Sequence, residues 1–149
     1  MQYKNTKIVL NKRPSGLPEL SDFKMVETEL NSLENNEIII EVMWLSLDPY
    51  MRGRMSSAKS YAAPIEIGSV ITGGAVGKVV ESKCSKFNIG DIVEGFNIGW
   101  QKYCKTNSNN IRRIDPNIAP IQTAVGVLGM PGMTAYFGLF EICKPIPGD

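Results

Sequence analysis

The run Gly129-Met130-Pro131-Gly132-Met133-Thr134-Ala135-Tyr136-Phe137-Gly138-Leu139 lies close to the C-terminal Asp149, and its reading decides how this chain is organised. It carries no charge and is rich in small residues. Pro131 suits the first turn of a helix, and the segment reads as helical despite its glycines. Each interior glycine costs a helix about 1 kcal/mol relative to alanine. A helix accepts several of them where another backbone, a sheet or a ligand comes close. No residue after Asp149 is there to be that neighbour, so the expectation is one part of a larger protein.

Working outward, Lys144-Pro145-Ile146-Pro147-Gly148-Asp149 ends the helical region with two prolines. Upstream, Ile118 to Leu128 and Pro131 to Cys143 are expected as two helices. The stretch from Pro116 to Phe140 is uncharged, and a membrane span needs about 20 mostly apolar residues. Pro120, Gln122, Thr123, Pro131, Thr134 and the glycines dilute it, so no membrane partner is expected.

Before Asp115-Pro116 the pattern is that of short strands. Lys7 to Leu10 is a strand, closed by the proline loop Arg13-Pro14-Ser15-Gly16-Leu17-Pro18. Phe23 to Leu30 alternates as a half-buried strand should. Asn35-Asn36 marks a turn, and Ile38 to Leu47 is rich in β-branched residues. Gly73 to Ser82 suggests a strand with a bulge or a close backbone approach. In Phe87-Asn88-Ile89-Gly90-Asp91-Ile92-Val93, Gly-Asp between apolar residues signals a hairpin. Strands are expected again over Asp91–Phe96 and Trp100–Cys104. Several short strands separated by turns indicate a small barrel or sandwich.

The chain has 149 residues, 43% hydrophobic and 21% charged, with net charge +1. It is long enough to bury a real core, and it offers no electrostatic case for binding nucleic acid. The polar start Met1-Gln2-Tyr3-Lys4-Asn5 is no secretory signal. Cys84, Cys104 and Cys143 are far apart and odd in number, which fits a reducing compartment. There is no histidine, so neither a Ser-His-Asp site nor a Cys/His zinc site can be built from this chain. No glycine-rich phosphate loop opens a helix.

Three segments in order resemble one family: Arg13-Pro14-Ser15-Gly16-Leu17-Pro18, Leu45-Ser46-Leu47-Asp48-Pro49-Tyr50-Met51-Arg52-Gly53-Arg54-Met55, and the opening run. They are similar to the zinc-independent medium-chain dehydrogenase/reductases, in the group of prostaglandin reductases, leukotriene hydroxydehydrogenases and plant double-bond reductases. The resemblance covers about Lys7 to Asp149. It implies a mainly β fold with C-terminal helices: a GroES-like, partly open barrel over 1–115, then connecting helices over 116–149. An absent Rossmann domain would bind NADP(H). The implied reaction is NADPH-dependent reduction of the C=C bond of an enal or enone, or of a quinone. A second copy in a homodimer and a cytoplasmic location are also expected. Where zinc-dependent relatives carry ligands, this chain reads Leu45-Ser46-Leu47-Asp48 and Thr72-Gly73-Gly74-Ala75, so no zinc is expected. The rival reading is a stand-alone binding module without catalysis.

The resemblance also nominates site residues. Tyr50 is either a pocket wall against the enone or nicotinamide, or a turn aromatic packed on the barrel. Met51 lines the pocket or fills the core, and Arg52, counted with the substrate-side residues, is either a solvated or salt-bridged side chain or pairs with Asp48 and holds its loop. Asn97 and Trp100 line the substrate cleft or belong to the barrel. Met130 and Thr134 are the cofactor candidates. The Thr134 hydroxyl either meets the carboxamide or bonds back to its own helix.

Overall fold

The computed structural model describes residues 3–149. Seven strands carry the fold: β1 (Lys4–Leu10), β2 (Phe23–Glu29), β3 (Glu37–Leu45), β4 (Ala75–Ser82), β5 (Ile92–Gly95), β6 (Tyr103–Asn107) and β7 (Ile111–Arg113). A short helix α1 (Tyr50–Arg54) lies between β3 and β4, and α2 (Met130–Phe137) follows the barrel. β1 and β2 form an antiparallel pair, while the other five form an antiparallel sheet in the order β6-β3-β4-β5-β7.

β1 joins the two sheets. The Ile8 amide donates to the Trp100 carbonyl and the Lys102 amide to Thr6, both at 2.8 Å. Further along, the Leu10 amide bonds Ser69 and the Ile71 amide bonds Ile8, both at 3.0 Å. The result is a mainly β, partly open barrel with helices at its C-terminal end, as the sequence implied.

The β3–β4 ladder carries two irregularities. Register slips by one residue between Ile39 and Ile40, and slips back between Val42 and Trp44. Val80 is the extra residue on β4 and Met43 the extra residue on β3, so the expected bulge is present twice, once on each strand. Gly77 faces β3 so closely that a side chain there would run into the Glu41 carbonyl.

Two apolar cores result. Ile38 and Ile40 pack with Ala75, Val79, Val93 and Ile98 inside the barrel. Leu10, Met51, Met55, Ile65 and Ile71 form the second, under α1, with Phe23 and Trp100 against it. Each fully buried aliphatic side chain contributes about 1.5–3 kcal/mol.

Several expectations need correction. Gly90 does adopt a left-handed turn conformation (φ +99°), and the Asn88 amide donates to the Asp91 carboxylate at 2.8 Å. That turn ends a longer connection between β4 and β5, not a two-residue hairpin. The expected helix over Ile118–Leu128 is only a 3-10 turn over Ile121–Val125. The Thr123 hydroxyl bonds back to the Pro120 carbonyl at 2.6 Å, and Gly126 leaves helical geometry with ψ −116°. The expected helix from Pro131 to Cys143 is α2 followed by a π-helical stretch, Gly138–Cys143.

The glycine-rich run also finds its neighbour inside the chain. A Cβ on Gly129 would collide with the Ala124 carbonyl, and one on Gly132 with that of Val127. The close backbone demanded by these glycines is the preceding 3-10 turn and the residues just after it, and no absent domain is needed to explain them. Gly138 meets nothing within 4 Å.

Candidate functional site

β3 ends at Leu45, and the chain leaves the sheet while still tied to it, since the Ser46 amide donates to the Gly74 carbonyl at 2.8 Å. Asp48 and Pro49 then start α1, whose first residue is Tyr50. Opposite this strand end, α2 and the 3-10 turn before it close one side of a cleft of about 620 Å³. Ser46, Asp48, Gly74 and Phe96 line it from the barrel, and Met130 and Thr134 from α2. Glu94 and Arg112 stand at its wall as an ion pair, Nε to Oε1 at 2.8 Å.

Tyr50 stacks on Phe96 with ring centroids 5.4 Å apart, so it backs the cleft wall from behind. Its hydroxyl is buried without a hydrogen-bond partner, although the Gly74 amide faces it. Burial pushes its pKa up and the Asp48 charge adds to this, while Arg54 pulls the other way. A buried polar group with no partner costs about 1–3 kcal/mol, and such a group beside a cleft is a candidate to meet a ligand.

Met130 and Thr134 both line the cleft. The Thr134 hydroxyl donates to the Met130 carbonyl at 2.8 Å, so towards the cleft it offers only acceptor lone pairs.

The other candidates lie elsewhere. Met51 is buried in the second core. Trp100 packs against that core and stacks on Phe23 at 5.8 Å. Its indole N–H is buried without a partner. Asn97 is exposed and accepts a hydrogen bond from the Thr72 hydroxyl at 3.2 Å. Arg52 does not pair with Asp48. Its guanidinium reaches the proline loop, with Nη2 donating to the Gly16 carbonyl at 2.7 Å and to that of Pro14 at 3.3 Å. The folded proline loop brings two backbone carbonyls within reach of its guanidinium fork. Asp48 instead accepts the Ser46 hydroxyl at 2.6 Å.

The sequence reading missed Ser46, Gly74 and Phe96 as cleft residues. Ser46 and Gly74 flank the ends of paired strands, where sites concentrate, and that position was the available signal.

The family described as the N-terminal domain of oxidoreductase matches residues 6–114. The chain belongs to this family. It is 39% identical over 146 residues to the NADPH-dependent curcumin reductase of Escherichia coli, covering 98% of this chain and 42% of that protein. It is also 39% identical to the 2-alkenal reductase (NADP(+)-dependent) of Nicotiana tabacum, covering 97% of this chain and 43% of that one. The solved structure of CurA in complex with NADPH from Vibrio vulnificus superimposes with a TM-score of 0.88 at 39% identity, over 97% of this chain and 42% of that one. The chain therefore spans about two fifths of the length of the relatives it matches. These relatives fit the zinc-independent reductase group that the motifs pointed to. Among the described residues, no group of three or more Cys, Asp or Glu side chains could hold a metal ion. Nor is any helix long and apolar enough to cross a membrane.

Proposed function

We propose that this oxidoreductase domain is the substrate-side half of an NADPH-dependent reductase of α,β-unsaturated carbonyls, enals or enones, with quinones as the related class. The reaction is hydride transfer to the β-carbon of the C=C bond and protonation of the α-carbon. The cleft carries this reading. It sets an apolar helix face against a strand end with polar groups at one corner, which suits a flat, largely apolar acceptor. The names of the matched relatives support it.

A bound NADPH supplies the hydride. Met130 and Thr134 are the residues that would hold the nicotinamide end, and the acceptor lone pairs of Thr134 fit the N–H groups of a carboxamide. The 149 residues include no glycine-rich loop for the phosphates, so the remaining grip on the dinucleotide belongs to a second domain. Tyr50 lies behind Phe96 with an unsatisfied hydroxyl, which would donate to a carbonyl oxygen as charge builds there once Phe96 turns aside. Phe96 and α2 keep water from the reacting carbons. The family resemblance, and no feature of the cleft, supports extending this proposal to a zinc-independent, cytoplasmic whole protein that can pair as a homodimer.

The test joins this chain to the C-terminal part of the Escherichia coli relative and follows NADPH oxidation with alkenals, enones and quinones. Turnover by the joined protein and none by the 149-residue chain is the expected result. A well-folded chimera inactive on all three classes would sink the reductase reading. Turnover by the chain alone would sink the two-domain requirement.

A further inference from the structure

The cleft contains a carboxylate that no cation neutralises. Asp48 lines it and accepts one short hydrogen bond from Ser46. Three arginines are candidates to pair with it, and all are committed elsewhere. Arg52 holds Gly16 and Pro14. Arg54 holds the Ala63 carbonyl at 3.1 Å and the Thr72 hydroxyl at 3.5 Å. Arg112 holds Glu94. Among the described residues, none forms an ion pair with Asp48.

Ser46 sharpens the chemistry. Its single hydroxyl hydrogen is spent on Asp48, so both side chains face the cleft with lone pairs only. The backbone bond from Ser46 to Gly74 fixes this corner to the sheet. The opposite wall, with Leu128, Met130 and Phe137, is apolar. A neutral donor with an apolar body suits such a place better than a cation, because stripping water from an ammonium costs more than stripping it from a hydroxyl.

We propose that Ser46 and Asp48 form an acceptor-only subsite that takes the hydroxyl hydrogen of a ligand bound in the cleft. The inference rests on the reductase reading and adds a specificity element to it. Two sources carry this chemistry: a hydroxyl on the unsaturated carbonyl itself, or a ribose hydroxyl of the cofactor.

The experiment titrates the chimera described above, in which a second domain completes the dinucleotide site, by NMR with 4-(4-hydroxyphenyl)but-3-en-2-one, its O-methyl ether, and NADPH. Each is repeated with Asp48→Asn and Ser46→Ala, after melting curves confirm folding. A hydrogen bond to a charged acceptor predicts that the phenol binds about tenfold tighter than the ether. Asp48→Asn should erase that difference, while Ser46→Ala, which leaves the carboxylate in place, should keep it. If the two ketones bind alike but Asp48→Asn weakens NADPH about tenfold, the ribose is the source. Equal binding of the ketones with no effect of Asp48→Asn on any ligand overturns the subsite, and so does absence of binding by all three. Comparing phenol and ether on the unaltered chimera keeps the question decidable even if Asp48→Asn fails to fold. The chimera assay separates this failure from failure of the reductase reading, since an active chimera indifferent both to the phenol hydroxyl and to Asp48→Asn loses only the subsite.

Discussion

The α-carbon of Gly132 lies against the carbonyl of Val127, with no room between them for a methyl group. The Gly132 amide meanwhile donates to the Gly126 carbonyl at 3.2 Å. α2 is thus seated on the turn that precedes it, and the seat forms one wall of the cleft. Gly132→Ala forces backbone to move and should cost about 1–3 kcal/mol, the usual penalty for overpacking. Gly138→Ala meets open space at helical dihedrals and should be neutral or stabilising by up to about 1 kcal/mol. Urea unfolding of the two variants separates them; equal effects would refute the close seat.

Tyr50→Phe removes a buried hydroxyl that has no protein partner. The variant should melt higher than the parent, by the equivalent of about 1 kcal/mol. In the reductase chimera it should lower kcat/KM for enones at the same time. A lower melting temperature would mean that the hydroxyl is satisfied in the folded chain.

The three cysteines should respond differently to a thiol reagent. Burial pushes the Cys104 thiol up to about 11. Cys84 is held below the usual thiol range, by the Ser108 hydroxyl first and then by the Lys86 and Phe87 amides. Cys143 is exposed. Near neutral pH, Cys84 and Cys143 should label in the native protein and Cys104 only on unfolding. Because the folded Cys104 keeps its proton above the pKa of an unfolded thiol, its contribution is intact below about pH 9. It is lost as pH rises from there towards 11, by about 2–3 kcal/mol in all. Cys104→Ala should flatten that alkaline decline in denaturation curves.

Arg52→Ala frees the carbonyls of Gly16 and Pro14. The contacts are partly exposed, so the loss should be about 1 kcal/mol, and the Arg13–Pro18 loop should become the first site of limited proteolysis. Arg52→Lys should recover little, because an ammonium cannot reproduce the fork of a guanidinium. Unchanged cleavage there would argue that the prolines alone stiffen the loop.

Much of the barrel was legible because strand patterning and turn chemistry are local. Ile38 to Ile40, the glycines at Gly73 and Gly74, and the turn at Gly90-Asp91 each declare themselves within a few residues. α1 and β7 were missed. Each is short, and Tyr50–Arg54 carries a glycine that hides its helical character. The partner of Arg52 was misjudged because the nearest carboxylate in sequence was not the nearest acceptor in space. The glycines of α2 were recognised as marking a close approach, but the neighbour was sought outside the chain when it lay a few residues upstream. The cleft itself was half visible. Met130 and Thr134 were named from motif resemblance, whereas Ser46, Gly74 and Phe96 converge only when strands distant in sequence are paired.

The paired bulges of β3 and β4 carry a consequence for how this site can change. One strand gains a residue at Val80 and the other at Met43, so the two slips cancel. Ser46 and Gly74 therefore remain in phase with Ile38 and Ser82 at the far end of the ladder. Each extra residue stands outside the paired positions, so deleting Val80 or Met43 alone would remove one bulge and leave the remaining pairs of the ladder in place. Deleting both would shorten each strand equally and leave the corner facing the cleft. Single-residue length changes in these two strands are thus absorbed where the bulges already stand, and the corner that carries Ser46 and Asp48 keeps its place in the ladder.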